Sequence, residues 1–227
     1  MKNYILKSLV CLQALLYLTS CASQFYHQVA TFSSEDAKLQ KDQYIAENDI
    51  IRIDYNFWAE NGCFKFTITN KTEKEVKIDL LKSYYIINSI AEDYCDSKQY
   101  IYIPAKTSRV LGGNIISNSI FRDCGFARNP KSNEQVILQF HRDNSPIVLE
   151  NKLLIIVDDK EIPISHIFYI SELQNYIKSD VVYYEYYDTD CTGKQVYDPK
   201  TIYLMASPNK YYIEYQWISS SSSDRIY

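Results

Sequence analysis

Cys21 is the residue whose chemistry is easiest to read. It closes Leu18-Thr19-Ser20-Cys21, behind a basic start at Lys2 and Lys7 and an apolar run over residues 9–18. Small residues before a cysteine, after an apolar stretch too short to span a bilayer, form the pattern of a cleaved lipoprotein signal. The expected chemistry is acylation of the Cys21 thiol and then of its freed amine, since stable anchoring takes more than one chain. Four cysteines remain beyond signal and anchor: Cys63, Cys95, Cys124 and Cys191. An exported chain allows three pairings among them. Cys63 with Cys95 and Cys95 with Cys124 both suit the strand order expected below, and four reduced thiols suit a fold large enough to stand unaided. No two lie at zinc-ligand spacing, so no metal is expected.

Other reactive groups do not assemble into a catalytic pattern. His27 falls in a polar stretch without a second ligand, and His141 and His166 read as exposed strand-end residues with no nucleophile motif beside them. Asp188 and Asp190 flank Thr189 as in the start of a calcium loop, but the glycine and distal glutamate are missing. Gly112-Gly113 lacks the rest of a phosphate-cradling loop. The chain is thus expected to be no enzyme and to need no cofactor.

The strongest hint of binding is aromatic. The chain holds 22 tyrosines, and Tyr183, Tyr184, Tyr186 and Tyr187 cluster so that both faces of one strand carry rings. Tyr212 and Trp217 are expected to lie nearby. Flat amphipathic rings suit a glycan or a protein partner, although aromatic residues also simply pack well in strands. Loss of residues 1–20 removes two of the 24 basic residues and none of the 28 acidic ones, leaving a formal charge of −6. That balance argues against nucleic acid.

The elements that must position these groups are mostly strands. Ile51, Ile53, Tyr55 and Phe57 alternate with Arg52, Asp54 and Asn56, and after Asn61-Gly62 the pattern resumes with Phe64, Phe66 and Ile68. This spacing predicts a β-hairpin over residues 49–70. Further strands are expected near residues 76–80, 84–87, 100–110, 134–141, 147–149, 153–157, 162–170, 181–187, 201–206 and 211–217. Gly and Pro are scarce, so turns must lean on Asn, Asp and Lys, as at Asp158-Asp159-Lys160 and Thr192-Gly193-Lys194. Residues 21–48 read as the lipidated cysteine and a tether, with a short helix over 34–46, and residues 219–227 as a frayed tail. Ser171 with Gln174 suggests a capping box and another short helix. The expected body, residues 49–218, is an all-β, immunoglobulin-like antiparallel sandwich with at most one or two short helices.

Four segments resemble the uncharacterised lipoproteins of Bacteroidota: residues 64–72 through Asn70-Lys71-Thr72, residues 78–83 through Ile78-Asp79 and Ser83, residues 103–108 around Pro104, and Phe168-Tyr169-Ile170-Ser171. The pattern departs at Ala105, where a second proline is usual, and at Ser89, where a glycine commonly follows the asparagine. The resemblance implies an immunoglobulin-like sandwich on a lipid anchor and carries no established ligand or activity. A surface-export signal of that family is acidic after the cysteine, whereas Ala22-Ser23-Gln24-Phe25 has no acid, which points to an outer-membrane protein facing the periplasm. The function expected is that of a non-enzymatic binding or assembly module of the cell envelope, with an unknown protein or glycan partner. An envelope enzyme or a glycan-binding lipoprotein are the alternatives.

Overall fold

The strands begin well upstream of the alternating pattern. The computed structural model describes residues 24–58, 63–94, 99–115, 137–189 and 192–217. Within it β1 (Gln24–Ser34), β2 (Lys38–Gln40) and β3 (Gln43–Glu47) occupy the stretch expected to be a tether and short helix. That expectation is corrected for residues 24–47. β1 lies between two other strands, and Tyr26, His27, Gln28, Val29 and Ala30 are all buried. A strand covered on both faces has no period-2 pattern to display. Ser34 does act as a cap, but of a turn: its Oγ accepts the backbone N–H groups of Asp36 and Ala37 and donates to the Ile167 carbonyl at 2.6 Å.

The expected hairpin forms as β4 (Ile51–Asn56) and β5 (Cys63–Asn70), with Ile53 opposite Ile68 and Tyr55 opposite Phe66. Ile51, Ile53, Tyr55 and Phe57 point into the core. Asn61-Gly62, the expected turn, lies outside the described residues. Next come β6 (Val76–Asp79), β7 (Tyr84–Ile87), β8 (Ile90–Asp93), β9 (Tyr100–Ile103) and β10 (Ser108–Ile115). The second half adds β11 (Ile137–Gln139), β12 (Val148–Val157), β13 (Lys160–Ile177), a one-turn helix α1 (Lys178–Val181), β14 (Val182–Thr189), β15 (Gln195–Tyr203) and β16 (Lys210–Trp217).

These strands make two packed antiparallel sheets, an all-β sandwich, plus a ribbon. One sheet runs β10-β5-β4-β3-β2 and the other follows β16-β1-β13-β12-β6-β9, with β7, β8 and β11 attached. β13 is the spine: its first half pairs with β12 and its second half with β1. Ser171 is the extra residue of a bulge, because Thr31 and Phe32 face Glu172 and Ile170. The helix expected from Ser171 and Gln174 is therefore corrected to strand, and the single helical turn comes later, at Lys178. Phe168 of one sheet meets Tyr55 at 4.5 Å and Phe57 at 5.0 Å of the other, ring centre to ring centre. Each such buried ring stabilises the sandwich by roughly 1.5 to 3 kcal/mol.

The scarcity of glycine is met as expected. Lys41-Asp42, Asn88-Ser89 and Asp158-Asp159 are two-residue hairpin turns in which both residues have φ between 48° and 72°. Left-handed conformations at both central positions define the turn type that matches strand twist. At Gly112 no substitute is available: φ is 114°, and a Cβ there would sit 2.4 Å from the Phe64 carbonyl oxygen.

Candidate binding surface

β14 and β15 form a sheet of their own, paired only with each other among the described residues. The register runs from Val182 opposite Tyr203 to Thr189 opposite Gln195. β15 spends an extra residue between Lys200 and Tyr197, where Pro199 lacks the N–H a regular ladder would need. Strand alternation places Tyr183 and Tyr187 on one face of the ribbon and Tyr184 and Tyr186 on the other. All four are exposed, as is Tyr197 at 69%, which stands opposite Tyr187 and meets it edge-on at 5.9 Å. Soluble surfaces do not usually gather five tyrosines on one thin element, and a two-stranded ribbon alone is marginal in water.

The base of that ribbon, by contrast, is fastened. Leu204 donates its backbone N–H to Val181, closing the loop at the stem. On one side, Lys178 of α1 bonds the Glu214 carboxylate of β16 at 2.8 Å, and the same oxygen meets His27 Nε2 of β1 at 3.0 Å. Burial pushes the Glu214 carboxyl up, but the Lys178 and His27 hydrogen bonds outweigh it and hold the group below its ordinary range. On the other side, Tyr203 at the end of β15 packs on Tyr212 at 4.8 Å, and Tyr212 donates its hydroxyl to Tyr203 at 2.9 Å. His27 stacks on Tyr212 and Trp58 tilts against it, both at 5.1 Å. The stem is thus an aromatic stack on one flank and an ion cluster on the other. It aims the arm while the arm's tyrosine rings stay exposed.

The structure separates the aromatic residues that the sequence grouped. Tyr183, Tyr184, Tyr186 and Tyr187 share the arm, whereas Tyr212 is buried in the stem, and the backbone of Trp217 closes β16 opposite Gln24. His27 is not a solvated linker residue but 1% exposed between rings. Its signal was unreadable because the surrounding strand is covered on both faces. Tyr197 was missed because the proline two residues on masks the strand. His141 is exposed, as expected. His166 is not a strand-end residue: it sits within β13, half-buried, and bonds the Tyr55 hydroxyl at 2.8 Å. Cys63 opens β5; Cys21, Cys95, Cys124 and Cys191 lie outside the described residues.

A second polar cluster crosses the sandwich. Tyr94 donates to Asn151 Oδ1, Asn151 Nδ2 donates to the Tyr55 oxygen at 2.7 Å, and Tyr55 in turn donates to His166 Nδ1. Burial raises the pKa of both tyrosines and lowers that of His166, against a weaker opposite pull from Asp36. Every group finds a partner only if His166 is neutral with its proton on Nε2. The relay ends beside a cleft of about 180 Å³ lined by Lys65, Leu80, Tyr94, Ile101, Leu111 and Gly112. Ligand pockets usually span roughly 300 to 1,000 Å³, so the cleft is small for that use. Among the described residues no three His, Cys, Asp or Glu side chains gather as metal ligands, and no helix is long and apolar enough to cross a membrane.

No protein-family model matches the chain, and the search of curated proteins found no relative.

Proposed function

We propose that this protein is a recognition module of the cell envelope: a β-sandwich held to a membrane by acyl chains on Cys21, presenting the β14–β15 arm to a partner. The observation that carries the reading is the contrast between a fastened stem and five exposed tyrosines above it. A surface built only for solubility would not hold apolar rings out in water at the end of a fixed support. Tyrosine supplies flat area and a hydrogen-bonding tip at little entropic cost, which is why binding surfaces favour it. Nothing in the reading requires catalysis. The Leu18-Thr19-Ser20-Cys21 pattern supports the anchor, and the missing acid after Cys21 supports the periplasmic side.

Two measurements test it. Mass spectrometry of the mature N-terminus should find acyl groups on Cys21, and an unmodified terminus removes the anchor from the proposal. Crosslinking in native membranes should capture a partner that is lost when Tyr183, Tyr184, Tyr186 and Tyr187 are replaced by Ser with unfolding unchanged. Capture indifferent to those replacements refutes the arm as the recognition surface.

A further inference from the structure

We infer that the arm binds an uncharged glycan chain laid along the face that carries Tyr183, Tyr187 and Tyr197; this rests on the arm being the recognition surface. The first reason is area. β14 has 8 residues, so at about 3.3 Å per residue and two strands about 4.8 Å apart the ribbon is roughly 26 Å long and 10 Å wide. One face then offers on the order of 260 Å², far below the roughly 800 Å² that each partner contributes to a standard protein interface. A narrow linear ligand fits a narrow linear face.

The second reason is the layout of that face. Tyr183 and Tyr187 are four residues apart, about 13 Å along the strand, with Tyr197 widening the platform at the Tyr187 end. A pyranose presents a patch of C–H bonds on each ring face and hydroxyls around its rim. The C–H patch suits the electron-rich face of a tyrosine ring, and the rim suits its hydroxyl and neighbouring polar groups. Across the ribbon between the rings, Glu185 stands opposite Lys200 and offers an acceptor to such hydroxyls. On the other face the Tyr184 hydroxyl is already engaged by the Lys178 ammonium group.

Charge decides the class of glycan. Residues 182–203 hold four acids, Glu185, Asp188, Asp190 and Asp198, against Lys194 and Lys200. Lys200 is already ion-paired with Asp188. A slightly acidic arm with its cation engaged repels polyanions such as uronic-acid chains.

The test is calorimetric titration of the full-length lipidated chain, in a zwitterionic detergent without a sugar headgroup, using hexasaccharides. The probes are β-linked glucose, β-linked N-acetylglucosamine and α-linked mannose, with a polygalacturonate hexamer as the anionic control. At least one neutral probe should bind and the anionic one should not. Tyr183→Ala with Tyr187→Ala should weaken binding about tenfold or more, and Tyr184→Ala with Tyr186→Ala less than about threefold. Both double variants should stay folded, since all four rings are exposed and Tyr184 gives up only its bond to Lys178. Equal losses on the two faces overturn the assigned face, and equal binding of the anionic probe overturns the uncharged class. If no neutral probe binds while membrane crosslinking still finds a tyrosine-dependent partner, the glycan inference fails and the recognition reading stands. If neither is seen, both fail.

Discussion

Replacing Tyr55 by Phe removes one oxygen from the centre of the sandwich and leaves the ring in place. That oxygen accepts from Asn151 Nδ2 at 2.7 Å and donates to His166 Nδ1 at 2.8 Å. Phenylalanine keeps the contacts with Phe66, Phe57 and Phe168, so the change in packing is small. What is lost is the partner of Nδ2 on Asn151, 1% exposed, and of Nδ1 on half-buried His166. A buried polar group left unsatisfied costs about 1 to 3 kcal/mol. Asn151 should pay near the middle of that range and His166, which can still reach water, near its foot, for a total of about 2 to 4 kcal/mol. Urea unfolding of the chain expressed without its leader, followed by far-UV dichroism, measures the loss as a shift in midpoint at constant slope. A variant within about 0.5 kcal/mol of the parent would refute the relay as a stabilising element.

Three further outcomes follow from the same structure. The lowered pKa of His166 means that between the folded value and the unfolded 6.5 the unfolded chain binds the extra proton, so stability present above pH 6.5 falls as the solution is acidified through the folded value. His166→Gln, whose amide oxygen can still accept from Tyr55, should flatten the fall in stability on acidification below about pH 7.5; an unchanged slope excludes His166 as its source. Asn70→Asp should cost about 3 kcal/mol or more in the same urea assay, because Nδ2 donates to the Lys74, Ile103 and Pro104 carbonyls and a carboxylate would face them as a bare acceptor. A mild effect would mean that the clamp is dispensable. Ser89→Gly relieves a left-handed serine at φ 72°, and Ala105→Pro suits the turn in which Thr107 bonds Pro104 and Lys106 takes φ 56°; each should gain about 0.5 to 1 kcal/mol, read as a rise in midpoint temperature.

How far the sequence could be read depended on what each strand faces. β4 and β5 have one face in the core and one nearer solvent, so their alternation names the buried residues one by one. β1 has partners on both sides and cover on both faces, and its buried residues therefore spell Tyr-His-Gln-Val-Ala, which looks like a polar linker. The bulge in β13 misled for a different reason. A serine that occupies an extra strand position carries the same local hydrogen-bonding repertoire as one that starts a helix, and only the pairing with Thr31 and Phe32 decides between them.

The residues of four segments singled out in the sequence, 64–72, 78–83, 103–108 and 168–171, build the scaffold. Asn70 ties three carbonyls at the crossing from β9 to β10 through Nδ2 and accepts the Thr72 N–H and hydroxyl at Oδ1, and Ser83 bonds the Asp79 carbonyl while accepting the Leu154 N–H. Such residues bear on the fold and name no ligand. The arm lies outside all four segments, and its charges and rings answer to solvent and not to the core. A stem of Lys178, Glu214, His27, Tyr203 and Tyr212 ties it to the two strands that end the larger sheet, β1 and β16. On the proposed reading, changes along β14 and β15 alter recognition without unsettling the sandwich, whereas changes in the stem disturb fold and recognition together.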